Sequence, residues 1–127
     1  MSKRILILEN DPDILDIMQE ILNYEGFDVK PMSENDDVFK RIEEYDPDLV
    51  MIDYLLNGIN GGEICAQIKK HPSTSELPVV LISAYSRVLL SLGTYGCDDF
   101  IAKPFELSDL INRIRTLVEK PQICTVN

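Results

Sequence analysis

A chain of 127 residues with 22 acidic and 12 basic side chains, net charge −10, has room for one domain with its own core. Its charge has the wrong sign for direct nucleic-acid contact, which needs cations to displace phosphate counterions. With 45% hydrophobic and 27% charged residues it has the balance of a soluble globular protein, and its longest apolar runs, such as Val79-Val80-Leu81-Ile82, are far too short to cross a bilayer. Met1-Ser2-Lys3-Arg4 leads straight into a strand-like segment, without the apolar stretch of a signal peptide, so a cytoplasmic protein is expected. Cys65, Cys97 and Cys124 form no C-x-x-C pair, and their odd number argues against a disulfide framework; they read as small buried or incidental thiols in a reducing cytosol.

The elements alternate along the chain. Ile5 to Leu8 is a β-branched apolar run, too short for a helix. Asp11 offers a helix N-cap with Pro12 at the first helical position, and Ile14, Leu15, Ile17, Met18, Ile21 and Leu22 recur at helical spacing until Gly26. Phe27 to Lys30 reads as a second strand. Asn35 to Tyr45 reads as a helix with Val38, Phe39 and Ile42 on one face, stopping before Pro47. Leu49 to Ile52 is a third strand that delivers Asp53 at its end. Asn57 to Gly62 is turn chemistry throughout, followed by a helix over Glu63 to Lys70 with Ile64, Cys65 and Ile68 inward. After the loop His71 to Ser75, Pro78 leads into a fourth strand, Val79 to Ile82. A weak helix is expected over Tyr85 to Thr94, weakened by Gly93. Phe100 to Ala102 is a short fifth strand. Glu106 to Glu119 is a helix with Leu110, Ile111, Ile114, Leu117 and Val118 as its stripe, and Pro121 to Asn127 is a frayed tail.

Strands alternating with helices predict a parallel sheet covered on both faces. In such a sheet ligands bind at the carboxyl ends of the strands. Glu9-Asn10-Asp11, Asp53, Ser83-Ala84, Phe100 and Lys103-Pro104 each lie at or just beyond such an end, so carboxylates, a hydroxyl and a lysine are expected to converge. Each piece alone has an ordinary reading: Asp53 as a loop cap, Glu9 as a surface acid, Phe100 as core, Lys103-Pro104 as a loop. The weight lies in their combination. His71, the sole histidine, falls at a helix end where a dipole interaction accounts for it.

Four segments carry a family likeness: Ile5 to Ile14, Pro47 to Asp53, Leu77 to Ala84 and Gly96 to Phe105. Together, in this order and spacing, they resemble the receiver domain of two-component response regulators over residues 3–120. The resemblance implies a flavodoxin-like, doubly wound (βα)5 sandwich with a five-stranded parallel sheet of order 2-1-3-4-5. It implies a phosphoryl group taken from a sensor histidine kinase, or a histidine phosphotransfer protein, onto Asp53 with Mg²⁺. Metal-binding roles fall on Glu9, Asn10, Asp53 and the backbone carbonyl of Leu55. Ser83 and Lys103 fall on the hydroxyl and lysine that hold the phosphoryl oxygens, Ser83 and Phe100 on the switch pair, and Pro104 on a proline that is commonly cis. The output is a changed surface for an unknown downstream protein; no enzymatic activity is expected beyond self-phosphorylation and autodephosphorylation.

Two features depart from the family pattern. Asn10 stands where the family usually has a second acid, which predicts weaker Mg²⁺ binding; Asp11 is better placed to cap a helix than to compensate. The segment from Ser83 to Lys103 is also slightly short. Asn10 favours a rival reading, a degenerate receiver that works as a phosphorylation-independent interaction module. A Mg²⁺-dependent phosphohydrolase lacks a pocket-forming insertion, and a flavin carrier would need a Ser/Thr/Gly-rich turn where this chain has Glu9-Asn10-Asp11-Pro12.

Overall fold

The computed structural model describes residues 2–33, 36–56, 59–84 and 96–119, and for 55, 56 and 59 the backbone alone. Its core is a sheet of strands β1 (Arg4–Leu8), β2 (Asp28–Pro31), β3 (Leu49–Asp53), β6 (Val79–Ser83) and β7 (Asp99–Ala102), in the order β2-β1-β3-β6-β7. Every pairing is parallel. Counted in chain order, these five strands give 2-1-3-4-5, the expected doubly wound arrangement.

Helices α1 (Pro12–Tyr24) and α4 (Leu107–Val118) cover one face, and α2 (Val38–Tyr45) and α3 (Gly61–Lys70) the other. The alternation along each strand sorts the core, because successive side chains point to opposite faces. Ile5, Ile7, Leu49, Met51, Val80 and Ile82 pack with Met18, Leu22, Leu110 and Ile114. Leu6, Leu8, Val50, Ile52, Val79 and Leu81 pack with Ile64, Cys65 and Ile68. β1, β3 and β6 are therefore buried on both faces, which is why they read as unbroken apolar runs.

Several expected boundaries shift. Asp11 caps α1 as expected, its Oδ1 accepting from the backbone N–H groups of Asp13 at 3.0 Å and Ile14 at 3.5 Å. Ile17, however, is 50% exposed; the stripe needs only Ile14, Leu15, Met18, Ile21 and Leu22 to face the sheet. The turn after Asp53 contains a two-residue antiparallel ladder, β4 (Leu55–Leu56) with β5 (Ile59–Asn60). Helix α3 starts at Gly61 rather than Glu63 because Asn60 caps it, its Oδ1 accepting from Gly62 N–H at 2.7 Å.

The expectation of incidental thiols is corrected: Cys65 of α3 and Cys97 of the turn before β7 are joined by a disulfide, with Cα atoms 6.3 Å apart. Their 32-residue separation hid the pair, since only the fold sets α3 against that turn. The helix expected over Tyr85 to Thr94, with Gly93, lies outside the described residues. So do Asn35, Cys124 and the tail from Pro121.

Candidate functional site

Asp53 is the last residue of β3, the central strand, paired in register with Ile82 of β6. The chain then stays tied down. Tyr54 N–H donates to the Ile82 carbonyl at 2.7 Å, and Gly61 N–H donates to the Tyr54 carbonyl at 2.8 Å. That second bond brings α3's first residue directly onto the backbone of Asp53. A Cβ at Gly61 would overlap the Asp53 carbonyl oxygen and lie 2.8 Å from its carbon and 2.9 Å from Ile52 Cγ2. Only glycine fits there. The reading of Asn57 to Gly62 as turn chemistry missed this; the Gly-Gly pair was its one trace in the sequence.

Glu9 follows β1 directly, and its Oε2 accepts the Asp11 N–H at 3.1 Å. Lys103 follows β7; its backbone N–H donates to the Ser83 carbonyl at 2.8 Å, and the Lys103–Pro104 peptide is cis. From there the ammonium reaches both acids: Nζ lies 3.0 Å from Glu9 Oε1, 3.3 Å from Glu9 Oε2 and 3.2 Å from Asp53 Oδ2. The structure thus brings Glu9, Asp53 and Lys103 into one cluster from sequence separations of 50 and 94 residues. Glu9, Asp53 and Ser83 are all buried.

Ser83 and Phe100 sit differently. Asp53 closes β3 and is buried there. Ser83 closes β6 and is buried, and Phe100, opposite Leu81, packs half-buried with the α2/α3 cluster. The carboxylate–lysine cluster and the hydroxyl–aromatic pair therefore lie at the same end of the sheet. Asn10 is exposed beside Glu9, and Leu55 lies two residues past Asp53 in β4.

Burial raises the Glu9 carboxyl above its ordinary value of 4.5, with a hydrogen bond to Asp53 adding to the rise; the Asp11 N–H and Lys103 oppose it. Burial also pushes Lys103 down, but the neighbouring Glu9 and Asp53 carboxylates outweigh it, and the net shift is upward from 10.5. The lysine is held protonated between two acids.

A hard divalent cation suits this donor set. Glu9 Oε1 is buried and lacks an aligned hydrogen-bond donor although Lys103 Nζ is 3.0 Å away, and the neighbouring donors, Asp53 and Asn10, also offer oxygen. Mg²⁺ takes one or two carboxylates plus phosphate oxygens and water. Among the described residues no cluster of three or more His, Cys, Asp and Glu forms a metal cage.

An apolar groove of about 380 Å³ runs beside Lys103, lined by Ile14, Ile17, Ala84, Pro104, Phe105 and Leu107. A larger cavity of about 780 Å³ lies between α2 and the end of α3 and holds none of the clustered acids, so size does not mark the site. His71 lines it, tilted at 42° against Phe39 with ring centroids 5.1 Å apart; its Nδ1 lies 2.8 Å from Ser73 Oγ. No helix among the described residues is long and apolar enough to cross a membrane.

Fold and pocket define a doubly wound α/β domain with a carboxylate–lysine cluster at the carboxyl ends of its central strands. The family model of the response regulator receiver domain matches residues 5–115. The chain belongs to that family. It is 30% identical over 128 residues to the phosphate regulon transcriptional regulatory protein PhoB of Rhizobium meliloti, covering 97% of this chain and 56% of that protein. It is 31% identical over 123 residues to the DNA-binding response regulator MtrA of Mycolicibacterium smegmatis, covering 94% and 52%. The chain spans about half the length of these relatives. Among solved structures it resembles response regulator TrrA of Thermotoga maritima in complex with Mg²⁺-BeF, with a TM-score of 0.81, 27% identity and coverage of 91% and 99%. It also resembles a CheY-like receiver domain protein of Methanospirillum hungatei, with a TM-score of 0.80, 27% identity and coverage of 94% and 96%.

Proposed function

We propose that residues 3–120 form a cytoplasmic receiver that accepts a phosphoryl group on Asp53, with residues 121–127 as a tail. The observation that carries this reading is the Lys103 ammonium between the buried carboxylates of Glu9 and Asp53 at the ends of β1, β3 and β7. Phosphoryl transfer is catalysed almost wholly by positioning and charge. An Asp53 oxygen attacks phosphorus; the P–O bond forms as the P–N bond to a phosphohistidine of a sensor kinase or phosphotransfer protein breaks. Glu9, Asp53, Asn10 and the Leu55 carbonyl would hold Mg²⁺, which neutralises charge on the phosphoryl group. Lys103 passes from its carboxylate partners to a phosphoryl oxygen, and Ser83 donates a hydrogen bond to another. Drawing Ser83 inward frees space for Phe100, which changes the surface offered to a downstream protein. Slow hydrolysis of the acyl phosphate resets the domain.

The test is incubation with acetyl phosphate across a Mg²⁺ titration, followed by intact mass, beside Asp53→Ala. One Mg²⁺-dependent adduct, absent in Asp53→Ala, is expected. Asn10 supports a second reading, a phosphorylation-independent interaction module, and no adduct at any Mg²⁺ concentration would establish that one instead.

A further inference from the structure

We propose that Cys65 and Cys97 form a reversible thiol–disulfide site that sets the mobility of the segment leading into β7. Lys69 lies four residues after Cys65 on the same face of α3, and its Nζ donates to Asp98 Oδ2 at 2.8 Å and to the Leu77 carbonyl at 2.9 Å. Asp98 Oδ2 accepts Val79 N–H at 2.8 Å, and Asp98 N–H donates to the Val79 carbonyl at 2.9 Å. Gly96, at φ +81°, turns the chain over the stem of Lys69. Through atoms other than sulfur, the Lys69–Asp98 pair joins the turn to α3 and the Val79–Asp98 bonds join it to β6. They also hold the two Cα atoms at 6.3 Å, inside the range a disulfide spans, so the bridge can open and close without refolding.

The two cysteines are unequal, as a sensing pair requires. Cys65 is fully buried, whereas Cys97 is half-buried at the edge of the same apolar cluster. A peroxide therefore meets Cys97 first. Its thiolate attacks the O–O bond, giving a sulfenic acid and hydroxide; the Cys65 sulfur then displaces the sulfenic oxygen, forming the S–S bond and a second water after proton transfer. Overall, two thiols lose two hydrogens and one peroxide becomes two waters. A dithiol reverses the step by exchange, leaving as its own disulfide. Only the compartment rests on the receiver reading: in a reducing cytosol such a bridge is transient rather than permanent.

The position gives the bridge its consequence. Cys97 stands three residues before Phe100 and six before Lys103, so closing it adds a covalent tie from α3 to the segment that carries both.

The experiment treats the folded 127-residue protein with hydrogen peroxide, then dithiothreitol, with intact mass and a non-reducing peptide map at each stage. Neither readout uses phosphorylation, so failure here is distinct from failure of the receiver reading. The expected result is a loss of about 2 Da, the two hydrogens, mapped to Cys65–Cys97 and restored by dithiothreitol without denaturant. Cys124→Ser should behave like the parent protein, and Cys97→Ser should lose the bridge. Amide exchange over residues 96–103 should be about tenfold slower in the bridged form. Thiols that stay unbridged or only gain oxygen, a bridge reducible only after unfolding, or equal exchange in the two forms would each overturn the proposal.

Discussion

The ammonium of Lys103 lies 3.0 Å from Glu9 Oε1, a pair drawn from opposite ends of the chain, and the same nitrogen is 3.2 Å from Asp53. With side-chain exposures of 15%, 0% and 7%, the three groups compensate one another largely out of water. Removing the lysine leaves two adjacent buried carboxylates, and losing one partner of a buried pair costs about 3–5 kcal/mol. Lys103→Ala should lower stability at pH 7 by that order in urea unfolding. Glu9 has a raised folded pKa, so its contribution favours folding below the ordinary value of 4.5 and is withdrawn as pH rises through the folded value. The deficit of Lys103→Ala should therefore shrink as pH falls toward 4.5. A variant as stable as the parent at pH 7 would refute the pairing.

Asp53 is itself a cause of the Glu9 shift, through its hydrogen bond and its charge. Asp53→Ala removes both and leaves Lys103 to Glu9 alone. In a carbon-13 titration of the Glu9 carboxyl, the midpoint should move down in the variant and yet stay above 4.5, because burial persists. An upward movement would mean that Asp53 is not its neighbour in solution.

Gly61 is placed against backbone, which cannot step aside as a side chain can. Gly61→Ala should cost about 1–3 kcal/mol, as overpacking does. Its larger effect should fall on transfer: displacing the acceptor by about 1 Å lowers the acetyl phosphate rate roughly a hundredfold. A thermal melt beside single-turnover mass kinetics separates the two. Full transfer in a destabilised variant would reduce Gly61 to a packing role.

Asn10→Asp adds a unit charge beside the acids that would hold Mg²⁺. On the receiver reading, affinity measured by calorimetry should tighten roughly tenfold, less than the full Coulomb gain because the position is solvated. Unchanged affinity would place residue 10 outside the metal site.

Much of this was legible in the residues. β1, β3 and β6 declare themselves as apolar runs because they are buried on both faces, and Asp11-Pro12 marks the start of α1 because a cap and a fixed φ act locally. Once the order of strands and helices is set, handed crossovers bring the strand ends together, so Glu9, Asp53 and Lys103 could be gathered from sequence. The tertiary structure decided what depends on distance between elements. It made Ile17 a groove residue rather than core and packed Phe100 with the α2/α3 cluster. It put Gly61 against the Asp53 carbonyl and matched Cys65 with Cys97. Local propensity and periodicity report a residue's own turn or strand; close approach between α3, β3 and the turn before β7 arises only when those elements pack.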